Sequence, residues 1–265
     1  MATYCVSDLH GHFDELMTML EVIEFDPEED RLFILGDVID RGPQSAELLW
    51  WLMKEAPQSV HCLLGNHEDM LWAAVDTVVL WSTDNITLRR DDSWSYNGGF
   101  ETLKQIRSFN KYYPEWETEI VEWIESLPLC YDLDIDGKRF ILVHAALQEQ
   151  IQYPDDMCVE GIQETIEIEE WPVPQRSQAI LWNRISWLYD KYTEWPFDIV
   201  CGHTPVNTIY NFMFDDLEIP WQQREERKSI LHFGKGLRKH LIDCGIARGG
   251  YLACLRLDDM HEFYV

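Results

Sequence analysis

Two patterns of apolar residues alternate along the first part of the chain. Short apolar runs at residues 4–6, 31–35 and 60–64 are typical of buried strands. Between them, apolar residues recur at helical spacing from Phe13 to Ile23, and again from Ser45 in a helix that ends before Pro57. This β-α-β-α-β order predicts a parallel sheet covered by helices.

Helical spacing predominates in the next stretch. The pattern predicts helices at Glu68–Leu80, from Gly98 and Gly99 through Phe109, and at Glu115–Leu127, with a polar loop at Thr83–Trp94. A run of helices without an intervening strand indicates a helical cap beside the sheet.

Strand patterns return after this predicted cap. Alternation at Tyr131–Ile135, the turn Asp136-Gly137 and the run Arg139–Val143 predict a β-hairpin. Further strands are predicted at 198–201, 231–243, 251–257 and 261–265. Because hairpins are mixed with helical connections, we expect a second, mixed sheet. No repeat or low-complexity linker divides the chain, which predicts one α/β domain over residues 1–265.

An acidic stretch interrupts the second sheet. Residues Gln148–Gln175 contain eight Asp or Glu residues, no Lys or Arg, and prolines at 154, 172 and 174. Three interpretations stay open, namely a solvated acidic loop, a lid that influences substrate preference, and an inserted subdomain.

The overall charge limits the classes of binding partner. The 265 residues include 48 Asp and Glu against 21 Lys and Arg, a formal net charge of −27. A negative field of this size disfavours nucleic acids and anionic membrane surfaces as partners. It does not exclude a phosphorylated substrate, because bound divalent cations reverse the sign of the field locally.

The cysteines and the lengths of the apolar runs indicate the cellular compartment. The seven cysteines have irregular spacings and no Cys-x-x-Cys pair, so neither a disulfide framework nor a zinc knuckle is expected. That pattern favours a reducing compartment. No apolar run is long enough to cross a bilayer, and the first strand begins almost at Met1, which leaves no signal peptide. We therefore expect a cytoplasmic protein without a membrane partner.

Residues that bind metals or catalyse proton transfer follow five predicted strands. Each strand end supplies Asp, His or Asn, and together they provide Asp8 and His10, Asp37 with Asp40 and Arg41, Asn66 and His67, His144, and His203. Ligands collect at the carboxyl ends of strands in parallel sheets. Five such strand ends predict one shared site.

The donor types in this set indicate a divalent metal site. Carboxylate, amide and imidazole groups without thiolate suit Mn²⁺, Fe or Zn²⁺ better than a closed structural zinc site. Six ligands are predicted, namely Asp8, His10, Asp37, Asn66, His144 and His203. Six are too many for one tetrahedral ion, so we expect two ions sharing Asp37, as in binuclear phosphatases, which activate a water and hold a phosphate for in-line attack.

Three further residues fit roles around a phosphate. His67 follows Asn66 directly and, when protonated, can donate a proton to a leaving oxygen. Asp40 can orient that imidazole and stabilise its charge. Arg41 can bind phosphate oxygens in a bidentate way.

These motifs resemble a known family. Asp8-Leu9-His10-Gly11, Gly36-Asp37-Val38-Ile39-Asp40-Arg41-Gly42, Gly65-Asn66-His67-Glu68, His144 and Gly202-His203-Thr204-Pro205 are similar to the signature of the calcineurin-like metallophosphoesterases, within them to the phosphoprotein phosphatase branch. Many broader family members carry a second histidine at the position of Pro205, and its absence fits that branch.

The resemblance implies a fold and a division of roles. The implied fold is a sandwich of two mixed β-sheets flanked by helices, with the metals at the sheet edges. One ion would be bound by Asp8, His10 and Asp37, and the other by Asp37, Asn66, His144 and His203. His67 with Asp40 would be the acid pair, and Arg41 and Arg184 would bind phosphate. Arg184 rests on the resemblance alone.

Three functions compete at this point. The first is a metal-dependent phosphomonoesterase acting on phosphoserine, phosphothreonine and phosphotyrosine in proteins, with a phosphorylated protein or peptide as partner and two ions, Mn²⁺ being the preferred assignment. The second is a symmetrical dinucleoside polyphosphate hydrolase, a sister branch whose members usually lack an Asp at the position of Asp40. The third is a non-catalytic binding protein on the same fold, which intact metal and acid positions argue against.

Overall fold

A computed structural model describes residues 1–77, 93–147, 158–160, 180–184, 188, 195–212 and 229–265. Five strands form the first sheet, sheet A, in the order β11-β10-β1-β2-β3. They are β1 (Thr3–Val6), β2 (Arg31–Ile34), β3 (Val60–Cys62), β10 (Ala253–Arg256) and β11 (His261–Tyr264). β1, β2 and β3 run parallel, whereas β10 pairs antiparallel with both β1 and β11, so the sheet is mixed.

The second sheet, sheet B, has six strands in the order β6-β4-β5-β7-β9-β8. They are β4 (Cys130–Ile135), β5 (Lys138–Val143), β6 (Cys158–Glu160), β7 (Asp198–Cys201), β8 (Leu231–Phe233) and β9 (Lys239–Leu241). β5, β7 and β9 are parallel, and the pairs β4–β5 and β8–β9 are antiparallel. Two mixed sheets therefore build an α/β fold, as predicted.

Several helices accompany the two sheets within the described residues. They are α1 (Phe13–Val22), α2 (Ser45–Lys54), α3 (Asn66–Thr77), α4 (Phe100–Asn110), α5 (Trp116–Ser126) and α6 (Val206–Phe212), with one π-helical turn at Ser95–Gly99. α4 packs against α2 and α5, and α5 also packs against α3. Helices α3 to α5 and the π-helical turn form the predicted helical cap.

One predicted strand is split in the structure. The expected strand over 231–243 consists of β8 and β9, separated by a short 3₁₀ turn at Lys235–Leu237. Gly234 enters this turn with φ 76°, a left-handed conformation that ends the first strand. The segment therefore folds back as an antiparallel pair, and the single long strand was a wrong prediction.

The acidic stretch supplies one element of sheet B. Residues 158–160 form β6 at the sheet edge, parallel to β4, with Cys158 opposite Cys130. The rest of 148–175 lies outside the described residues, as do the predicted helix end at 78–80 and the loop residues up to 92. The roles proposed for the acidic stretch, and the single-domain boundary, stay predictions.

One cysteine departs from the expected pattern. Cys130 is disulfide-bonded, although the sequence pointed to reduced cysteines. Five others, Cys5, Cys62, Cys201, Cys244 and Cys254, are free and buried, as expected for thiols inside apolar strands. The bonded cysteine was missed because irregular spacing along the chain says nothing about which strands become neighbours.

Candidate active site

Left-handed backbone conformations concentrate where the strands end. Six of the ten non-glycine residues with positive φ in the described ranges are predicted site residues, and these are Asp8 (50°), His10 (44°), Asp37 (54°), Asp40 (72°), Arg41 (69°) and His203 (67°). Such conformations cost free energy and persist where the surrounding structure enforces them, which is typical of functional sites. The sharp turns direct these side chains into one region.

Two glycines allow the loops to approach one another. A Cβ added to Gly65 would lie 2.2 Å from the backbone nitrogen of Asp37, and one added to Gly202 would lie 2.1 Å from Oδ2 of Asp8. Because no other residue fits in these gaps, glycine is required for the metal-ligand loops to meet.

The first group of candidate metal ligands is His10, Asp37 and His67, whose ligand atoms lie within 4.8 Å of one another. Nδ1 of His10 lies 2.9 Å from the carbonyl oxygen of Ile39, to which it donates its hydrogen. Nε2 of His10 therefore carries a lone pair and lies 3.8 Å from Oδ2 of Asp37. A lone pair facing a carboxylate oxygen fits a cation between them.

The second group comprises Asp37, His144 and His203. Nδ1 of His144 donates to the carbonyl oxygen of Leu35 at 2.7 Å, which leaves a lone pair on Nε2. That Nε2 lies 2.9 Å from Oδ1 of Asn66 and 3.4 Å from Oδ1 of Asp37. Three acceptor atoms converge here, and a divalent cation is the group that satisfies them together.

His203 completes the second group. Its Nδ1 lies 2.8 Å from Oδ1 of Asn66 and 3.2 Å from Nε2 of His144. Its Nε2 is buried and has no hydrogen-bond partner among the described residues. Nδ1 is thus the nitrogen that faces Asn66 and His144, and it is the atom of His203 placed to bind an ion. The donor set matches the predicted ligands Asn66, His144 and His203.

Asp8 lies beside the second ligand group and contacts the loop that carries His203. Its carboxylate is buried, and Oδ2 accepts a hydrogen bond from the backbone N–H of His203 at 2.8 Å. The first group of candidate ligands contains His67 with His10 and Asp37, whereas Asp8 was the predicted third ligand. Asp8 thus joins β1 to the His203 loop in the other sheet, and its role as a ligand stays a prediction.

Burial disfavours the charged state of these groups. It raises the pKa of Asp8 to about 6, and it also raises the pKa of Asp37. Burial likewise lowers the pKa values of His10, His144 and His203, so the imidazoles are neutral. Metal binding needs neutral imidazoles, which burial favours, and ionised carboxylates, which burial disfavours. Bound cations would stabilise the ionised carboxylates and offset the repulsion between them.

His67 and Asp40, the residues predicted to act as an acid pair, are hydrogen-bonded to each other. Nδ1 of His67 donates to Oδ2 of Asp40 at 2.6 Å, and both side chains are almost fully buried. Nε2 of His67 accepts a hydrogen bond from Nη2 of Arg41 at 2.7 Å. Burial lowers the pKa of His67 to about 4, with Asp37 opposing this change and Arg41 adding to it.

Both predicted phosphate-binding arginines reach the site. Arg41 contacts Nε2 of His10 as well as Nε2 of His67, so its guanidinium lies beside the first metal-ligand group. Arg184 donates from Nη1 to the carbonyl oxygen of His203 at 2.7 Å and to Oγ1 of Thr204 at 3.2 Å. The two cations therefore flank the candidate metal centre.

Glu68 belongs to the motif Gly65-Asn66-His67-Glu68, and the sequence predicted no role for it. Its fully buried carboxylate accepts backbone hydrogen bonds from Asp37, Val38, Ile39 and Gly65. It thus holds the two loops that carry Asp37 and Asn66. Its position directly after Asn66 and His67 was the sequence feature that could have indicated a role in the site.

Two further residues bind the carboxylate of Asp40, and no pattern in the sequence predicted either contact. Trp94 and Thr102 both donate hydrogen bonds to the carboxylate of Asp40. They lie 54 and 62 residues from Asp40 in the chain, so only the folded structure brings them together.

Comparison with curated proteins finds similarity to nucleotide hydrolases. A symmetrical bis(5'-nucleosyl)-tetraphosphatase from Pseudomonas fluorescens is 34% identical over 151 residues, which are 57% of this chain and 44% of that protein. The chain matches less than half the length of that relative. A protein of the same name from Klebsiella pneumoniae is 29% identical over 299 aligned positions, covering 99% of this chain and 94% of the relative.

A solved structure shares the fold. The cold-active protein tyrosine phosphatase of a psychrophilic Shewanella species aligns with a TM-score of 0.53 at 18% identity, covering 99% of this chain and 80% of that one. At this identity the similarity concerns the fold alone. Within the described residues, no helix combines the length and the apolar character needed to span a membrane.

The family model for the calcineurin-like phosphoesterases matches residues 1–234. This range includes every predicted metal ligand, the acid pair and both arginines. The candidate ligand groups agree with the divalent metal chemistry of that family. The chain belongs to the calcineurin-like phosphoesterases.

Proposed function

We propose that this chain is a metal-dependent phosphomonoesterase that acts on phosphoserine and phosphothreonine side chains of proteins. The observation that carries the proposal is the buried Asp40–His67 pair at 2.6 Å beside the candidate metal centre. The partner is then a phosphorylated protein or peptide, the location is the cytoplasm, and the net charge of −27 disfavours nucleic acid as a substrate.

Asp8, His10, Asp37, Asn66, His144 and His203 would hold two divalent ions, with Mn²⁺ preferred and Fe or Zn²⁺ as alternatives. When bound, such ions supply a water activated for attack on phosphorus and neutralise charge on the phosphate.

The leaving group decides whether an acid is needed. Hydrolysis of a serine or threonine phosphate expels an alkoxide, a strong base that leaves only if it is protonated. Cleavage of a dinucleoside tetraphosphate expels a nucleoside diphosphate, which is a weak base and departs without a proton. A buried carboxylate that orients a histidine is therefore better explained by a phosphomonoester of an alkyl alcohol.

Arg41 links phosphate binding to this acid. In the structure its guanidinium donates a hydrogen bond to Nε2 of His67. This is the atom that must carry a proton when His67 acts as the acid. A phosphate bound by Arg41 and Arg184 would accept the hydrogen bonds of Arg41 in place of His67. It would also place negative charge beside the imidazole. Both changes raise the pKa of His67, so substrate binding favours the protonated, donating form.

A second candidate is a symmetrical dinucleoside tetraphosphate hydrolase. The names of the relatives from Pseudomonas fluorescens and Klebsiella pneumoniae favour it. The metal ligands serve either reaction, so the two candidates differ at the leaving group and not at the ions.

A direct comparison of substrates tests the proposal. The Mn²⁺-loaded protein is assayed on a phosphoserine or phosphothreonine peptide and on diadenosine tetraphosphate, with release of phosphate and of ADP measured separately. A higher kcat/KM on the peptide supports the phosphomonoesterase. A higher value on the dinucleotide transfers the assignment to the second candidate.

The variant His67→Asn isolates the acid. It should lose phosphopeptide turnover by about 10²-fold or more while it retains both metals, because proton donation is removed and the six assigned ligands are intact. Loss of metal from this variant would instead identify His67 as a ligand.

A further inference from the structure

The carboxylate of Asp40 is bound from two sides. His67 donates to Oδ2 at 2.6 Å. On the other side, Nε1 of Trp94 donates to Oδ2 at 2.9 Å and to Oδ1 at 3.1 Å, and the hydroxyl of Thr102 donates to Oδ1 at 2.6 Å. Three side chains thus satisfy a carboxylate that has no exposed surface.

Trp94 is held firmly in this position. Its side chain is fully buried, and it packs so closely on Gly99 that a Cβ there would lie 2.4 Å from the indole ring. Gly98, with φ 110°, lies against the backbone of Arg41, where a Cβ would be 2.7 Å from the nitrogen. The π-helical turn Ser95–Gly99 therefore seats the indole against the loop that carries Asp40.

Thr102 also fixes the backbone of Asp40. The N–H of Asp40 lies 3.1 Å from Oγ1 of Thr102 and 3.0 Å from Oγ of Ser45. Because Asp40 has φ 72°, its own backbone preference does not hold this conformation, and neighbouring groups must do so.

We propose that Trp94 and Thr102 are positioning residues for general-acid catalysis. They fix the carboxylate of Asp40 so that Oδ2 faces Nδ1 of His67, which directs Nε2 of the imidazole toward the leaving oxygen. The helical cap, remote in sequence from the strand-end motifs, thereby contributes to proton transfer. This inference rests on the proposed phosphomonoesterase function.

Two conservative variants test the inference. Trp94→Phe keeps an aromatic ring on Gly99 and removes the N–H donor, and Thr102→Val keeps the volume and removes the hydroxyl. The matched control is Trp50→Phe, which keeps an aromatic ring and removes an indole N–H that donates to Glu55, an exposed residue just after α2. Thermal unfolding of all variants reports on stability.

Turnover is compared on two phosphomonoesters with different leaving groups. On a phosphoserine peptide, Trp94→Phe should lower kcat roughly 10- to 100-fold with little change in KM, because the acid is misoriented. On p-nitrophenyl phosphate, whose leaving group needs no proton, the same variant should lose less than about threefold. Thr102→Val should show the same selectivity, and Trp50→Phe should resemble wild type on both.

A proton NMR measurement is independent of turnover. The hydrogen on Nδ1 of His67 should give a strongly downfield signal in the wild type that shifts or broadens in Trp94→Phe and Thr102→Val but not in Trp50→Phe. An unchanged signal overturns the inference. So does an equal loss of activity on both substrates, which would show a merely structural role. If the wild type hydrolyses no alkyl phosphomonoester, the proposed function fails, and the NMR signal still decides whether the cap positions the pair.

Discussion

The variant Glu68→Gln tests how the two metal-ligand loops are held together. Oε1 of Glu68 accepts hydrogen bonds from the backbone N–H groups of Val38 at 2.9 Å and Ile39 at 3.2 Å. Oε2 accepts from Asp37 at 2.9 Å and Gly65 at 3.1 Å. Each oxygen thus satisfies two buried amides, and no rotation of a glutamine can keep all four.

The expected cost follows from this count. Whichever way the glutamine amide turns, its NH₂ group faces two backbone donors and leaves both unsatisfied. An unsatisfied buried donor costs about 1–3 kcal/mol, so the loss should be about 2–6 kcal/mol of unfolding free energy. That is a large share of the roughly 5–15 kcal/mol typical of a domain. Metal affinity should fall as well, because the loops carrying Asp37 and Asn66 lose their common anchor.

The assay is urea unfolding of metal-free protein. Burial, with the negative charge of Asp37, raises the pKa of Glu68 to about 8, and the backbone amides oppose this rise. Measurement near pH 9 therefore compares the carboxylate with the amide. The control is Glu101→Gln, an exposed pair with Lys104, which should change stability by less than about 0.5 kcal/mol. A loss below about 1 kcal/mol for Glu68→Gln would refute the reasoning.

Three further outcomes are expected. Arg41→Gly should be about 1 kcal/mol more stable than Arg41→Ala in chemical unfolding, because φ 69° is left-handed and only glycine tolerates it freely; equal stabilities would contradict this strain. Burial lowers the pKa of His61 to about 4, and Arg31 adds to this, so the unfolded chain binds the proton first and stability falls as pH drops from about 6.5 toward 4. His61→Phe should lose less stability between pH 7 and 5 in thermal unfolding, and parallel curves would exclude the histidine as the cause. Adding Mn²⁺ to chelator-stripped protein should raise Tm progressively with its concentration, and His144→Ala should weaken that response; an unchanged response would remove His144 from the ligand set.

The strand-end motifs were predictable because their signals are local. A short apolar run followed by Gly36 and Asp37 specifies both a buried strand and the turn that ends it. The parallel order of β1, β2 and β3 then follows from the helices between them, which places Asp8, Asp37 and Asn66 at one sheet edge. Donor types and sheet topology were enough to predict that these residues come together as candidate metal ligands.

Features that depend on distant pairing were not predictable. No pattern around Trp94 indicates that its indole reaches Asp40, since the contact depends on how α4 packs against α2. The disulfide of Cys130 depends on strand neighbours in the same way. The break after β8 shows a third cause, because Gly234, Gly236 and Leu237, all with positive φ, divide a segment that was predicted as one strand.

Sheet A is completed by both ends of the described chain, since β1 lies between β2 and β10. The hydrogen bond from the backbone of His203 to Asp8 likewise spans 195 residues. Contacts at such separations form late and slowly in folding, because much of the chain must be ordered before they are made. Ion binding at the second ligand group can therefore follow only after the two sheets have met, because Asp37 lies after a strand of sheet A and His144 and His203 lie after strands of sheet B. An ion released from this group by local opening would rebind without refolding. Metal release measured over time should then show two phases. The faster phase would report local opening of the loops, and the slower phase would report separation of the sheets at the unfolding rate of the whole molecule.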